Sequence, residues 1–149
     1  MRVAIGCDHQ SQVIERKNDL IEVLEEKNIE YKDFGVFSTD PVDYPDIAKS
    51  VLTEVQNGNY DRAVLVCGTG VGMAICANKF KGIRAGVCHD LFSTQRSILS
   101  NNCQVMAIGA LIIGKKLAQE LLKIWLDLEF KEGPSSKKVD KIGLLERSF

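Results

Sequence analysis

Short apolar runs alternate with segments of helical periodicity along the whole chain. The apolar runs have strand length and are bounded by Gly, Asp, His or Asn, at approximately residues 3–7, 31–34, 63–66, 85–87 and 105–108. Such an alternation is typical of a parallel sheet whose strands are buried on both faces by helices. The pattern therefore predicts an α/β protein with three layers, a five-stranded parallel sheet and a single domain over residues 1–149.

The segments between these runs predict helices with one apolar side. The first has Ser11 as its N-cap, and the second begins at Pro45 and ends at Asn57-Gly58, because Pro is favoured at helix starts and Gly just past their ends. A third and a fourth are expected over 72–80 and 90–100, and a fifth ends at Gly133-Pro134. The apolar stripes consist of Val13, Leu20 and Leu24 in the first helix, Ile47, Val51, Leu52 and Val55 in the second, and Leu117, Leu121, Ile124 and Leu128 in the fifth.

A last helix is expected over residues 136–149. It carries Val139, Ile142 and Leu145 on one side and several lysines near its start. Because this stripe is narrow, we expect the helix to pack on a partner subunit, the alternative being the edge of its own domain.

Composition and charge exclude several classes of partner. The 19 basic and 20 acidic residues leave no net field for a nucleic acid or an anionic membrane, whereas a small phosphorylated ligand can be bound locally. The 5 cysteines are odd in number and show no C-x-x-C spacing, which favours free thiols in the cytoplasm over disulfides or a structural zinc. No signal peptide or membrane anchor is predicted at the N-terminus.

The residues that follow the predicted strands are unusually polar. Ligands of open parallel sheets bind outside the carboxyl ends of the strands, where this chain has 7–9 (C-D-H), 67–72 (C-G-T-G-V-G), 88–90 (C-H-D) and Gly109. Glycines that open a helix let backbone N–H groups converge on an oxyanion or phosphate, and a thiol there becomes a usable base or nucleophile. From these residues alone, Cys67 is equally compatible with a buried cysteine beside a tight turn.

The other polar positions have simpler interpretations. Asp8-His9 could cap a helix and fill a polar corner, and Asp90 is a natural N-cap for the fourth helix. The remaining cysteines are expected to be small buried hydrophobic residues: Cys7, Cys76, Cys88 and Cys103.

The chain resembles the ribose-5-phosphate isomerase B family, which includes the subunits of galactose-6-phosphate isomerase. The resemblance is carried, in register over nearly the whole chain, by G-C-D-H at 6–9, D-Y-P-D at 43–46, C-G-T-G-V-G at 67–72, A-N-K at 77–79, G-I-R-A at 82–85 and V-C-H-D at 87–90. It implies a Rossmann-like domain that works as a homodimer or tetramer, with each active site completed by a second subunit. It also implies a sugar-phosphate substrate and no metal or other cofactor.

The resemblance assigns a role to each site residue. Cys67 matches the base that moves a proton between neighbouring carbons through a cis-enediolate, and Thr69 would bond near the reacting hydroxyls. Backbone N–H groups of Gly68, Gly70, Val71 and Gly72 would hold the enediolate oxygens. Substrate contacts are expected from Asp8, His9, Asn101 and Lys138.

The sequence departs from the family pattern at the groups that open the sugar ring and grip the phosphate. Ser100 stands where the family has a ring-opening His, and a missing general acid typically costs about 10² to 10⁴-fold in rate. Leu111 and Pro134 replace phosphate-binding arginines, Ser135 replaces a usual His, and Lys138 replaces a further Arg. Lys137, Lys138 and Arg84 are candidates to compensate, although a lysine offers a point charge instead of a bidentate fork.

These departures leave several functions open. The chain could isomerise ribose 5-phosphate slowly, or serve as one subunit of a galactose-6-phosphate isomerase whose homologous partner supplies the absent groups. It could also act on a tetrose phosphate, because phosphorylation of C4 prevents closure of a five-membered ring. The alternative outside the enzymes is a sugar-phosphate binding or structural subunit without turnover.

Overall fold

The computed structural model describes residues 1–148; Phe149, the last residue of the predicted final helix, lies outside them. The strands are β1 (Arg2–Cys7), β2 (Glu30–Asp33), β3 (Arg62–Cys67), β4 (Ala85–Val87) and β5 (Val105–Gly109). The helices are α1 (Ser11–Glu26), α2 (Tyr44–Gln56), α3 (Val71–Asn78), α4 (Leu91–Leu99), α5 (Lys115–Asp127) and α6 (Ser136–Arg147).

The strands form one five-stranded sheet in the order β2-β1-β3-β5-β4, and every neighbouring pair is parallel. The predicted α/β architecture is therefore confirmed. The chain leaves β1 toward β2 on one side and later places β3 on the other side of β1. This reversal creates a crevice at the carboxyl ends of β1 and β3, where ligands of open α/β sheets bind.

Helices cover both faces of the sheet and enclose two apolar cores. Alternate side chains of β1 point to opposite faces, so that Val3 and Ile5 pack with α1, α4 and α5, whereas Ala4 packs with α2 and α3. Trp125 of α5 is fully buried in the first core, and Met73 of α3 is fully buried in the second. Because helices cover both faces of the sheet, the strand ends that carry the polar motifs are supported by packing from both sides.

The ends of the helices partly confirm and partly correct the predictions. Asp90 caps α4 as predicted, since its carboxylate accepts the N–H of Ser93 at 2.8 Å. Ser11 is not the N-cap of α1, because the helix already includes it and Gln10 occupies the cap position. The end of α5 was predicted too late. It ends at Asp127, where Arg62 donates hydrogen bonds to the carbonyls of the last turn.

The apolar stripe of α5 also differs from the prediction. Leu121 is buried, but Leu117 is 46% exposed, and the core side of the helix is formed by Ala118, Leu122, Trp125 and Leu126. The prediction missed the short Ala118 and the large Trp125, whose combined shape fits the groove between α1 and α4.

Helix α6 lies on the surface and has no buried residue. Its Ile142, Leu144 and Leu145 are all exposed, and its Glu146 accepts the N–H of Gly82. Within residues 1–148 no helix is both long and apolar enough to cross a membrane. Packing of α6 on a partner subunit stays a prediction.

Candidate active site

The segment after β3 turns so that the amide of Gly70 lies against the sulfur of Cys67. Gly70 adopts a positive φ of 81°, which allows the chain to turn into α3, and its N–H donates to the Cys67 Sγ at 3.1 Å. Val71 donates its N–H to the hydroxyl of Thr69 at 3.2 Å. An N–H donor beside a sulfur at the start of a helix stabilises negative charge on that sulfur.

These bonds narrow the set of predicted oxyanion donors. The amides of Gly70 and Val71 are engaged within the loop, and neither residue lines the cleft next to Cys67. Gly68 and Gly72 do line it. The geometry therefore favours the amides of Gly68 and Gly72 for a substrate oxygen.

Two glycines let neighbouring groups approach this loop at very short range. A Cβ on Gly109, at the end of β5, would lie 2.5 Å from the carbonyl carbon of Thr69. A Cβ on Gly72 would lie 2.6 Å from the Oη of Tyr44. An added side chain would collide with the backbone of Thr69 at Gly109 and with the ring of Tyr44 at Gly72, so the loop packs closely between β5 and the start of α2.

His89 supports the same arrangement from the end of β4. Its Nε2 accepts the N–H of Gly109 at 2.8 Å, which requires the neutral ring with its proton on Nδ1. Burial lowers the pKa of His89, and the neighbouring carboxylate of Asp90 opposes that shift. His89 thus fixes the backbone of Gly109, on which Thr69 rests, without itself lining the cleft.

Cys67, Asp8 and Thr69 meet in a cleft of about 310 Å³ at the carboxyl ends of β1 and β3. Tyr44 and Gln10 form part of its wall, and the side chain of Leu111, 56% exposed, stands at its mouth. Asp8 is oriented by its backbone, because its N–H donates to the carbonyl of Val66 at 3.0 Å. The crevice predicted from the strand ends therefore exists and contains a thiol, a carboxylate and a hydroxyl.

The other four cysteines have thiols that are hard to deprotonate. Burial raises the pKa of Cys7 to about 11 and that of Cys103 to about 12, and it also raises the pKa of Cys88 and Cys76. The prediction of buried hydrophobic cysteines is right for Cys7, Cys88 and Cys103 but wrong for Cys76, which is only partly buried on α3. High pKa values make these thiols poor bases near neutral pH.

Three of the predicted substrate contacts do not line this cleft. His9 follows Asp8, but its Nδ1 lies 2.9 Å from the Asp8 carboxylate and its ring is not part of the wall. Asn101 lies in a different cleft, and Lys138 is exposed on the first turn of α6. Ser100, at the position of the family's ring-opening His, accepts the Nε–H of Arg96 at 2.6 Å.

The cleft that contains Asn101 has a volume of about 380 Å³ and lies beside the edge strand β4. Arg84, Arg96 and Asn101 line it together with Ile142 of α6. It shares no lining residue with the cleft of Cys67. The residues of the site that the resemblance implies are thus divided between two places on the subunit.

Sequence reasoning missed several residues that build the site. Tyr44 lies within the D-Y-P-D motif but was given no role, and Gly109 was predicted at the ligand-binding edge without its packing against Thr69. His89 was noticed only as part of a capping segment, and no signal in the sequence indicated Arg96. Residues 1–148 contain no group of three or more His, Cys, Asp or Glu side chains that could hold a metal ion.

Comparisons with known proteins show which family the chain is similar to. A family model described as Ribose/Galactose Isomerase matches residues 3–142. Ribose-5-P isomerase B of Listeria innocua is 52% identical over 94% of this chain and 93% of its own length. D-erythrulose-4-phosphate isomerase of Pectobacterium atrosepticum is 45% identical over 98% of this chain and 95% of its own. The solved ribose-5-phosphate isomerase B of Clostridium thermocellum superposes with a TM-score of 0.94 at 36% identity, covering 99% of both chains.

Proposed function

The chain belongs to the ribose/galactose isomerase family, and we propose that it interconverts an aldose phosphate and its 2-ketose phosphate with the thiolate of Cys67 as the base. The observation that carries this proposal is the Cys67 sulfur, held 3.1 Å from the Gly70 amide in a cleft shared with Asp8 and Thr69. Its relatives named as sugar-phosphate isomerases match it over nearly the whole chain.

In the proposed reaction one thiolate serves both proton transfers. Cys67 removes the proton from C2 of the aldose, and the electron pair moves into the C1 carbonyl to give a cis-enediolate. The amides of Gly68 and Gly72 stabilise the oxygen at C1, each such donor contributing about 10² to 10³-fold to the rate. The hydroxyl of Thr69 relays the proton of the C2 hydroxyl to the oxygen at C1. The Cys67 thiol then returns its proton to C1, which completes the ketose.

We propose ribose 5-phosphate and ribulose 5-phosphate as the first substrate pair. The support is the 52% identity to a protein named ribose-5-P isomerase B. The cleft of about 310 Å³ has room for the reacting end of a pentose, with Asp8 placed to bind its hydroxyl groups.

A tetrose 4-phosphate is the second candidate, and a specific observation favours it. Ser100 occupies the position of the ring-opening His and binds Arg96, so the chain offers no imidazole for protonating a ring oxygen there. A sugar phosphorylated on C4 cannot close a five-membered ring and needs no such acid. A relative 45% identical is named D-erythrulose-4-phosphate isomerase.

We further propose that the working unit is a homodimer. Asn101 and Lys138, implied as substrate contacts, do not line the cleft of Cys67 in the same subunit. Val71 and Ile75 of α3 and Phe92 of α4 are more than half exposed, which is an unusual cost for a subunit that works alone. A second copy packed along the edge strand β4, which contacts both of these helices, would remove them from water and complete the site.

The catalytic proposal is tested with the protein purified alone. Ribose 5-phosphate, erythrose 4-phosphate and galactose 6-phosphate are supplied separately with EDTA present, and ketose formation is followed. We expect Cys67→Ala to lose at least about 10²-fold in kcat, while Cys76→Ala, a thiol change on the neighbouring helix, retains activity. Equal turnover by wild type and Cys67→Ala would refute the base. Binding without turnover of every sugar would support the non-catalytic alternative.

The dimer is tested by complementation. If Asn101 serves the partner's site, mixing Cys67→Ala with Asn101→Ala subunits gives heterodimers with one intact site. Random pairing then restores about a quarter of wild-type activity. Analytical ultracentrifugation that shows a monomer at assay concentrations, or no gain on mixing, would exclude the shared site.

A further inference from the structure

We propose that the cleft lined by Arg84 and Arg96 binds the phosphate group of the sugar-phosphate substrate. The cleft has a volume of about 380 Å³, and none of the side chains that line it is acidic. Polar contributions come from Ser93 and Asn101 besides the two arginines. A concave site with guanidinium groups and no carboxylate favours a phosphate monoester, since Arg binds phosphate oxygens in a bidentate manner.

Arg96 has guanidinium N–H donors that are available to a ligand. Its Nε donates to Ser100 Oγ at 2.6 Å, and within residues 1–148 its two Nη groups have no hydrogen-bond or ion-pair partner. The bond to Ser100 orients the guanidinium toward the cleft that both arginines line. Ser100 thus positions an arginine instead of supplying a proton.

Arg84 is a fixed cation in the same cleft. Its Nε donates to the carbonyls of Asn101 and Asn102 at 3.2 and 2.8 Å, which hold the side chain against the turn after α4. The nearby carboxylate of α6, Glu146, accepts the Gly82 amide and forms no ion pair with either arginine. Within residues 1–148, neither Arg84 nor Arg96 forms an ion pair with a carboxylate.

The rest of the lining suits the sugar part of such a ligand. The amide side chain of Asn101 makes no hydrogen bond within residues 1–148, so it can bind a hydroxyl group, whereas that of Asn78 is committed to the backbone of Ala74 and Ala85. Ile142 closes one wall with an apolar surface. The arginines at this cleft would replace the phosphate grip that Leu111 and Pro134 cannot provide.

This inference rests on the proposed function and on the homodimer, which would bring the cleft to the partner's Cys67. Arg96→Leu is the main variant, Arg96→Lys keeps the charge without the fork, and Lys49→Leu removes an exposed positive charge on α2 as a matched control. Arg84 is left intact because its bonds to the carbonyls after α4 give it a structural role.

Binding is measured separately from turnover. Inorganic phosphate and ribose 5-phosphate are titrated into Cys67→Ala by calorimetry, with the guanidinium Nε–H signals of Arg84 and Arg96 followed by NMR. We expect both ligands to shift these signals, and adding Arg96→Leu to weaken binding about 10-fold to 100-fold. Unshifted arginine signals would overturn the proposal, whatever the activity of Cys67→Ala shows about the base.

Kinetics decide whether the bound phosphate belongs to the substrate. In the otherwise wild-type enzyme we expect Arg96→Leu to raise KM about 10-fold to 100-fold with little change in kcat, Arg96→Lys to recover part of this, and Lys49→Leu to match wild type. Binding of inorganic phosphate that depends on Arg96, combined with an unchanged KM for every sugar, would show a site for free phosphate and overturn the substrate assignment.

Discussion

Replacing Gly109 with alanine tests whether the packing of β5 against the Cys67 loop is needed for activity. The added Cβ would lie 2.5 Å from the carbonyl carbon and 2.6 Å from the carbonyl oxygen of Thr69. Carbon atoms in contact are normally about 3.5 to 4.0 Å apart. Both obstructing atoms belong to the backbone, so no side-chain rotation can relieve the clash, and the loop must move by about 1 Å.

The expected effect follows from that displacement. Overpacking of this kind costs about 1 to 3 kcal/mol in unfolding free energy, and each kcal/mol lowers the Tm of a chain of this size by about 2 to 4 °C. Activity should fall more steeply, because a misplacement of about 1 Å in a catalytic group can reduce the rate by about 10²-fold. We therefore expect Gly109→Ala to remain folded but to lose about 10²-fold in kcat.

The assay compares Gly109→Ala with Gly86→Ala, a glycine of the adjacent strand β4. A Cβ on Gly86 would meet only the Cβ of Ser97, at an ordinary contact distance of 3.8 Å. Measurements of kcat and Tm should leave Gly86→Ala near wild type, and KM is not part of this comparison because Gly86 lines the Arg96 cleft. Wild-type kcat and Tm in Gly109→Ala would refute the claim that β5 holds the loop, and an equal loss in Gly86→Ala would assign the effect to strand glycines in general.

Three further predictions concern polar groups that are fully or partly buried. Protonation of His89 removes the acceptor for the Gly109 amide, and burial lowers the folded-state pKa of His89, so its stabilising contribution is present above the ordinary pKa of 6.5 and is lost as pH falls below it. His89→Gln keeps an acceptor without this titration and should therefore flatten the pH dependence of the urea midpoint. An unchanged pH dependence in His89→Gln would contradict this. Lys17 is 1% exposed, and its Nζ lies 2.9 Å from the Asp33 carboxylate. Lys17→Met should therefore lower the unfolding free energy measured in urea by about 2 kcal/mol, and the double variant Lys17→Met/Asp33→Asn should recover part of this loss. Additive losses in the double variant would argue against the ion pair. Arg62→Ala should lower the unfolding free energy by about 3 kcal/mol because it loses the hydrogen bonds to the end of α5, and Arg62→Lys should lose less. If the Tm of Arg62→Ala stays within about a degree of wild type, these hydrogen bonds contribute nothing to stability.

The strands and most helices could be predicted because each depends on local patterns. Short runs of strand length predicted all five strands, with ends within a residue or two of those observed. The expected burial holds for β1, β3 and β5 but is wrong for the edge strands β2 and β4, which are only partly buried or exposed. The end of α5 could not be predicted, because it depends on Arg62, a residue distant in sequence that binds the carbonyls of Trp125 and Leu128. The predicted apolar side of α5 was also wrong, because the burial of Ala118 depends on how the neighbouring helices pack against it.

Part of the site could also be predicted from the sequence, and part could not. The position of Cys67 at a strand end beside glycines followed from general rules, and the structure brings Asp8 and Thr69 to it. The directions of individual amides did not follow, because they depend on φ at Gly70 and on the hydroxyl of Thr69. His89 and Arg96 act through single hydrogen bonds to Gly109 and Ser100, which no periodicity reveals.

The separation of the two clefts has a consequence for how substitutions act on the enzyme. The proposed base and its proposed amide donors come from one loop, which packs so closely on Gly109 that an added Cβ would collide with the backbone of Thr69. The cations come from α4 and from the turn before β4, and they share no lining residue with that loop. Because the two clefts share no lining residue, changes at the proposed phosphate cleft are expected to alter phosphate binding without moving the sulfur of Cys67. On this argument, variants of the loop should act mainly on kcat and variants of the cleft mainly on KM, and an Arg96 variant that lowers kcat alone would show that the two regions are coupled.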